Sequence, residues 1–353
     1  MIKKITLGLT ALLSTVSINA LASSNKAPFD VTVPSYNGGF TFGLAGLYLR
    51  PSVDALDYGI VYPAPAEVSA TGQLRNGSVQ NVDPDYDWGY RANIGYVFPS
   101  SANDVSLSYT NYKNTQTDAV KLKANEVFIA TTAPFLVDAT SVATFGSDAK
   151  FTTEYQAVDL DFGQHFNIGC NTHIKFLTGL RYVDLRNTFN ANYEGTLQLD
   201  DDAAAETFNI NTSQKSSFKG IGPRLGMDAE YSLGRGFGVV SQATTALLVG
   251  NSKSKFEQHA TLTNDTLTIT DVASFENPKI TRVVPNLNAK LGLNYNVEFC
   301  NPSHTKMTVE AGYQVDHFFN SVDRLNGLGL SGAPRVITDT NFAGPYVGVQ
   351  VRI

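Results

Sequence analysis

The chain has 353 residues, of which 16% are charged, with a formal net charge of −6, two cysteines and five histidines. The negative balance excludes a basic nucleic-acid footprint, and two cysteines cannot build a disulfide scaffold. A mean hydropathy of −0.11 excludes a bundle of transmembrane helices.

The first 22 residues read as a cleaved secretory signal. Lys3 and Lys4 give a basic start, residues 5–16 an apolar stretch too short to span a bilayer, and Ala20, Leu21 and Ala22 a small-residue cleavage site. Cleavage after Ala22 removes the two lysines and takes the charge from −6 to −8. No cysteine follows the site, which speaks against a lipoprotein. No later run reaches about 18 apolar residues, so an exported chain of this kind can cross a membrane only as a closed barrel.

Residues 23–38 are polar and carry Pro28 and Pro34, the pattern of a periplasmic lead-in. Residues 39–50 then put Phe40, Phe42, Leu44 and Tyr48 on one face of a first strand. Residues 51–87 form a long polar connection. In residues 88–98, Trp88, Tyr90, Ala92, Ile94, Tyr96 and Phe98 point one way, with Gly89, Arg91, Asn93, Gly95 and Val97 on the other side. Aromatics stand at both ends of that face and aliphatics in its middle, as two interfacial girdles around an apolar band require. After a short turn, residues 104–112 return.

The cycle repeats. Strands are predicted at 153–166 and 173–184, at 218–231 and 236–249, and at 281–297 and 305–317. The closing strand, 342–353, sends Val347, Val349, Val351 and Ile353 to one face and Gly348, Gln350 and Arg352 to the other. A terminal strand of this kind pairs with the first strand in an outer-membrane barrel; an edge strand of a soluble sandwich is the competing reading. Long connections of about 24–40 residues alternate with turns of about 4–7, the sorting by side that a transmembrane barrel needs. The predicted fold is all-β, one antiparallel transmembrane barrel of about 10 strands over 39–353. β-like runs in 122–137, 189–199 and 261–272 are either extracellular hairpins or further wall strands, giving 12–16.

In the run 39–51, the run from Asp87 and Trp88 to Phe98, and the closing residues 344–353, the chain resembles the major outer membrane proteins of Legionella. The resemblance implies a porin-like surface protein that passes small solutes, touches host surfaces and has no catalytic residue. It also implies cross-linking through cysteines, of which only Cys170 and Cys300 are present here.

Candidate pore-lining residues are Arg91, Asp159, Asp161, Lys175, Arg181, Arg224, Asp228, Glu230, Arg282, Lys290, Lys306, Glu310, Asp316 and Arg352. Buried dry and unpaired, each such charge costs several kcal/mol; a wet lumen avoids that cost. The competing reading is an ion-paired plug in a narrow barrel. Residues 51–87 carry six acids against one base, and residues 185–217 five against two. Acidic loops around a mouth concentrate cations, so any pore should be weakly cation-preferring.

Cys170 and Cys300 fall in periplasmic turns roughly 20 Å apart along the wall, and an intermolecular link, an internal bridge or two free thiols all remain open. With His173 and His304 they have zinc-type ligands but no supporting pattern, and no cofactor is expected. Asp83, Asp85, Asp87 and the pair Asp316-His317 are the residues that a rim protease reading would use. The expected partners are outer-membrane lipid and lipopolysaccharide, a host ligand at the loops and further copies of the chain, with no nucleic acid. A surface barrel with a blocked lumen and ligand-binding loops is the alternative function.

Overall fold

Alternation of period two places every second side chain on one side of a strand, and a wall that closes on itself must sort those sides into outside and inside. In a computed structural model, residues 30–54, 56–63, 76–123, 126–132, 142–197, 206–263, 267–299, 305–325 and 335–353 are described. The chain order is β1 Val31–Thr32, β2 Gly39–Val53, β3 Asp57–Pro63, β4 Ser78–Asn81, β5 Asp87–Val97, β6 Asn103–Lys121 and β7 Glu126–Ala130. It continues with β8 Val142–Ile168, β9 Thr172–Leu197, β10 Glu206–Gly234, β11 Phe237–Thr263, β12 Thr268–Glu298, β13 Lys306–Leu325 and β14 Arg335–Arg352.

Ten of these form a closed antiparallel ring in the order β8-β6-β5-β2-β14-β13-β12-β11-β10-β9, with β9 paired back to β8. The seam joins β2 to β14, from Thr41 opposite Arg352 to Val53 opposite Thr340. At its base Phe40 and Ile353 exchange backbone hydrogen bonds of 2.9 and 3.1 Å. Phe40, Leu44, Trp88, Ile94, Leu180, Leu225, Leu291, Leu293 and Val347 are all exposed on the outer face. The aromatics bracket the aliphatics as expected: Tyr48 packs between Tyr86 and Trp88 at one rim, with centroids 5.2 and 5.0 Å away, and Phe40 meets Tyr96 at 5.0 Å at the other.

The predicted strands match the wall closely at the short-turn end and fall short at the other. β8 to β12 run for 26–31 residues each. Much of 113–152, 185–217 and 250–280, read from the sequence as connections, is therefore strand. The run 189–197 continues β9, and the described parts of 261–272 continue β11 and β12, so they add no wall strands; Glu126–Ala130 is β7. The reason is that the wall continues beyond the lipid, where the outer face meets water and the inner face packs Phe151, Phe189, Tyr193, Phe208 and Ile210 into an upper core, so the alternation persists with its polarity reversed.

β3, β4 and β7, from the first two long connections, form a small separate sheet. Tyr58 of that sheet is fully buried against Phe128, Phe151, Phe189 and Tyr193, and the Tyr193 hydroxyl donates to the Tyr58 carbonyl at 2.6 Å. The sheet is thus a lid seated in the long-loop mouth. At the opposite end the lead-in is docked: Val31 and Thr32 pair with Ile168 and Asn167, and Tyr36 bridges to Ser101. Residues 1–29, and with them the signal segment and its cleavage site, lie outside the described residues.

Candidate functional site

In a ten-stranded barrel the lumen is the natural candidate site. It is filled at its middle by side chains from opposite walls. Arg181 of β9, 1% exposed, donates to Asp316 Oδ2 at 2.7 Å, to Asn286 Oδ1 at 2.9 Å and to the Tyr155 hydroxyl at 2.5 Å. The Tyr155 hydroxyl donates to Asp316 Oδ2 at 2.7 Å, and Asn286 Nδ2 donates to Asp316 Oδ1 at 2.7 Å. Asp159 extends the network, 3.4 Å from Arg181 Nε and 3.5 Å from Arg224 Nη1, and Arg224 also pairs with Asp161. The cluster holds the cations Arg181 and Arg224 among the carboxylates of Asp159, Asp161 and Asp316. Pairing of this density is what makes burial of the charges affordable.

An apolar layer lies against this network. Leu47, Leu49, Tyr112, Tyr155, Ala157, Val183, Leu185, Phe218, Ala246, Leu248, Val284, Phe318, Phe342 and Tyr346 form one buried cluster. Every wall strand except β5 contributes to it. Tyr155 stacks on Phe342 at 4.8 Å and meets Phe318 edge-on at 5.5 Å, so the rings of β8, β13 and β14 touch across the lumen.

The remaining candidate residues also point inward, and most are paired. Lys290 pairs with Glu310 at 2.9 Å and lies over the Tyr346 ring, whose hydroxyl donates to the same carboxylate. Lys175 pairs with Asp104 at 2.7 Å. Arg91 Nε donates to Thr110 at 3.0 Å, Asp228 accepts from Gln242 at 2.6 Å, and Glu230 accepts from Asn294 and Asn296 at 2.7 and 2.8 Å. Arg282 pairs with Asp323 at 3.1 Å, and Arg352 lies 4.6 Å over the Tyr36 ring. Lys306 is half-buried, in register between Glu298 and Arg352.

A wet lumen does not fit this middle level, where Arg181, Asp159, Asp161, Arg224 and Asp316 are buried and mutually paired. Sequence reasoning found these charges but missed Tyr155, Phe318 and Phe342, which with Asn286 complete the closure. A signal was available: Leu47 and Leu49 sit on the inward parity of β2, where a water-filled lumen has no use for leucine.

The short-turn end carries a different set. His165 Nδ1 and His173 Nε2 are 2.8 Å apart, His173 Nδ1 is 2.8 Å from Asn167 Oδ1, and His165 Nε2 is 3.2 Å from Asp104. The ring of Tyr36, from the lead-in, meets His165 edge-on at 5.4 Å. Cys170 is exposed in the adjacent turn, while Cys300 and His304 lie outside the described residues. Among the described residues no group of three or more His, Cys, Asp or Glu is arranged to hold a metal ion.

The rim-protease residues are not brought together. Asp316 faces the lumen network, whereas the next residue in the strand, His317, faces away and pairs with Asp339 at 3.3 Å. Asp83 pairs with Arg50 at 2.5 Å. A cleft of about 790 Å³ lies beside the extracellular ends of β2 and β14, between Arg50, Tyr313 and Ala343 on the wall and Val79, Asp83 and Tyr86 opposite.

A family model described as the Legionella pneumophila major outer membrane protein precursor matches residues 32–353. The chain belongs to that family. It is therefore an outer-membrane β-barrel protein. No curated protein matches the chain. Among solved structures it is similar to the outer membrane protease OmpT from Escherichia coli, at 12% identity and a TM-score of 0.41, covering 91% of this chain and 99% of that one. It is also similar to the toluene transporter TodX of Pseudomonas putida, at 6% identity and a TM-score of 0.27, and to a Pseudomonas aeruginosa FadL homologue, at 10% and 0.25; each pairing covers 89% of this chain and 90% of the other.

Proposed function

We propose that this protein is a closed surface barrel: the wall anchors it in the outer membrane, the lumen is sealed, and the extracellular extension binds molecules outside the cell. The observation that carries this reading is the set of contacts spanning the barrel, in which Tyr155 and Arg181 reach Asp316 while Phe318 and Phe342 pack against Tyr155. A hydrated ion cannot pass such a layer without separating buried charge pairs, each disruption being of the order of 3–5 kcal/mol. The reading includes export through the signal segment cleaved after Ala22, lipid and lipopolysaccharide around the belt, and no covalent chemistry.

Purified protein in planar bilayers tests it. The closed reading expects no steady conductance; ohmic steps in every preparation would overturn it. Passive diffusion of small solutes with weak cation preference is the second reading, favoured by the charged inward face and the acidic loops. It requires the middle layer to rearrange, and a reversal potential in a salt gradient would then report the sign of the preference.

A further inference from the structure

β13 does not stay in the wall. Its ladder with β12 runs from Lys306 opposite Glu298 to Phe318 opposite Asn286 and stops there. The chain then turns at Asn320, which takes a left-handed φ of 53°. Beyond the turn, Val322 is buried in the upper core and the Asp323 amide donates to Ser216 Oγ of β10 at 3.1 Å, on the far side of β12 and β11. Asp323 is fixed there by Arg335 and Arg282.

β12, however, continues upward with β11 as its partner on one side, from Arg282 opposite Gly250 to Thr268 opposite Thr263. Over Thr268–Pro285 no described strand pairs with its other edge. Among the described residues, the departure of β13 together with its partner β14 leaves this part of β12 as an edge of the extracellular wall. Natural edges are normally blunted by lysine, proline or a bulge; this edge carries all three at Pro278 and Lys279, where the ladder steps from Ser252 opposite Ile280 to Ser254 opposite Asn277, and the residues beyond them, 268–277, contain no lysine and no proline. Ile269, Val272 and Phe275 are 54%, 58% and 42% exposed along this edge.

We propose that the β12 edge at residues 268–276 is a docking site for an extended polypeptide from outside the cell, which adds a strand to the sheet. Only a strand satisfies a row of alternating amides and carbonyls while placing its own alternate side chains over Ile269 and Phe275 on one face and Val272 on the other. Asp271 and Glu276 are the only charges in the segment, so the segment selects a neutral or basic peptide with alternating β-branched residues. This deepens the surface-binding reading by naming the site and the partner class. Its test involves no conductance, so either can fail alone.

The probe is a fluorescent nonapeptide of alternating valine and threonine with a lysine at each end, titrated onto the full-length barrel in detergent and followed by polarisation and amide hydrogen exchange. Saturable binding is expected, with new protection confined to residues 268–276. The same peptide N-methylated at alternate amides should bind roughly tenfold more weakly or worse, since the methyl groups remove the ladder hydrogen bonds. The variant D271K/E276K, at exposed positions outside the core, should also weaken binding. Absence of saturable binding, equal binding by the N-methylated peptide, or an edge already protected in the free protein would overturn the proposal.

Discussion

Tyr155 on β8 donates its hydroxyl to Oδ2 of Asp316 on β13 at 2.7 Å, although the two strands stand five places apart in either direction around the ring. Such a bond must cross the full width of the barrel. It makes the inside a core in its own right, so wall and filling should unfold together.

Removing Asp316 should be far more damaging than removing the Tyr155 hydroxyl. Asp316→Ala leaves the Arg181 guanidinium buried beside Asp159 alone, and should destabilise by about 3–5 kcal/mol. Tyr155→Phe leaves Arg181 and Asn286 on the carboxylate, and should destabilise by about 1–3 kcal/mol. Urea unfolding in detergent, read as the heat-modifiable shift on gels, checks both; equal effects would contradict the network as described.

Truncating the cross-lumen rings should open the barrel. The combined variant Phe318→Ala, Phe342→Ala removes two rings that pack on Tyr155, and should admit ions where the parent stays silent in a bilayer recording. Large-to-small changes of this kind cost about 3–5 kcal/mol each, so folding of the variant must first be verified by its gel shift.

The outer face fixes a third expectation. Leu291 is 62% exposed in the middle of the apolar band, where an arginine should destabilise by about 2–4 kcal/mol in lipid. Thr270, on the same strand beyond the lipid, should accept arginine with little change. Paired unfolding titrations in vesicles separate the two positions.

Asp184 provides a pH test just above the belt. Burial raises its pKa, but hydrogen bonds from Arg186 and Lys219 outweigh burial and leave it lowered. A lowered folded-state pKa means the stabilisation is present above the ordinary carboxylate range and lost as pH falls through the folded value. Asp184→Asn should therefore be less stable than the parent at pH 7, and the gap should close on acidification below about pH 4, the unfolded value.

The turn at Cys170 tests the sidedness of the wall. In a Cys300→Ser background, a membrane-impermeant maleimide should label Cys170 only after the outer membrane is permeabilised. Labelling of intact cells would reverse the assigned topology.

The sequence was most informative where lipid enforces alternation. Trp88, Ile94, Leu225 and Val347 could be assigned outward because hydrocarbon outside and polar groups inside leave no other arrangement. The wall above the lipid escaped that logic, since Asn190, Asn192 and Glu194 meet water on the same face where Leu180 meets acyl chains. The closure escaped it too. Whether Arg181 lines a channel or seals one depends on how far Asp316 stands across the ring, and spacing along one strand carries no information about that distance.

The strands β8 to β12 rise well past the belt, whereas β5 spans only 11 residues. The crown of this molecule is therefore a slanted parapet of paired backbone. A ligand gripping that parapet would meet a surface already ordered, with little conformational entropy left to lose. Its evolution is constrained as well. Losing one residue from the upper part of β11 would turn every side chain above the gap inside out, so the parapet should tolerate trimming only in steps of two residues on both strands of a hairpin.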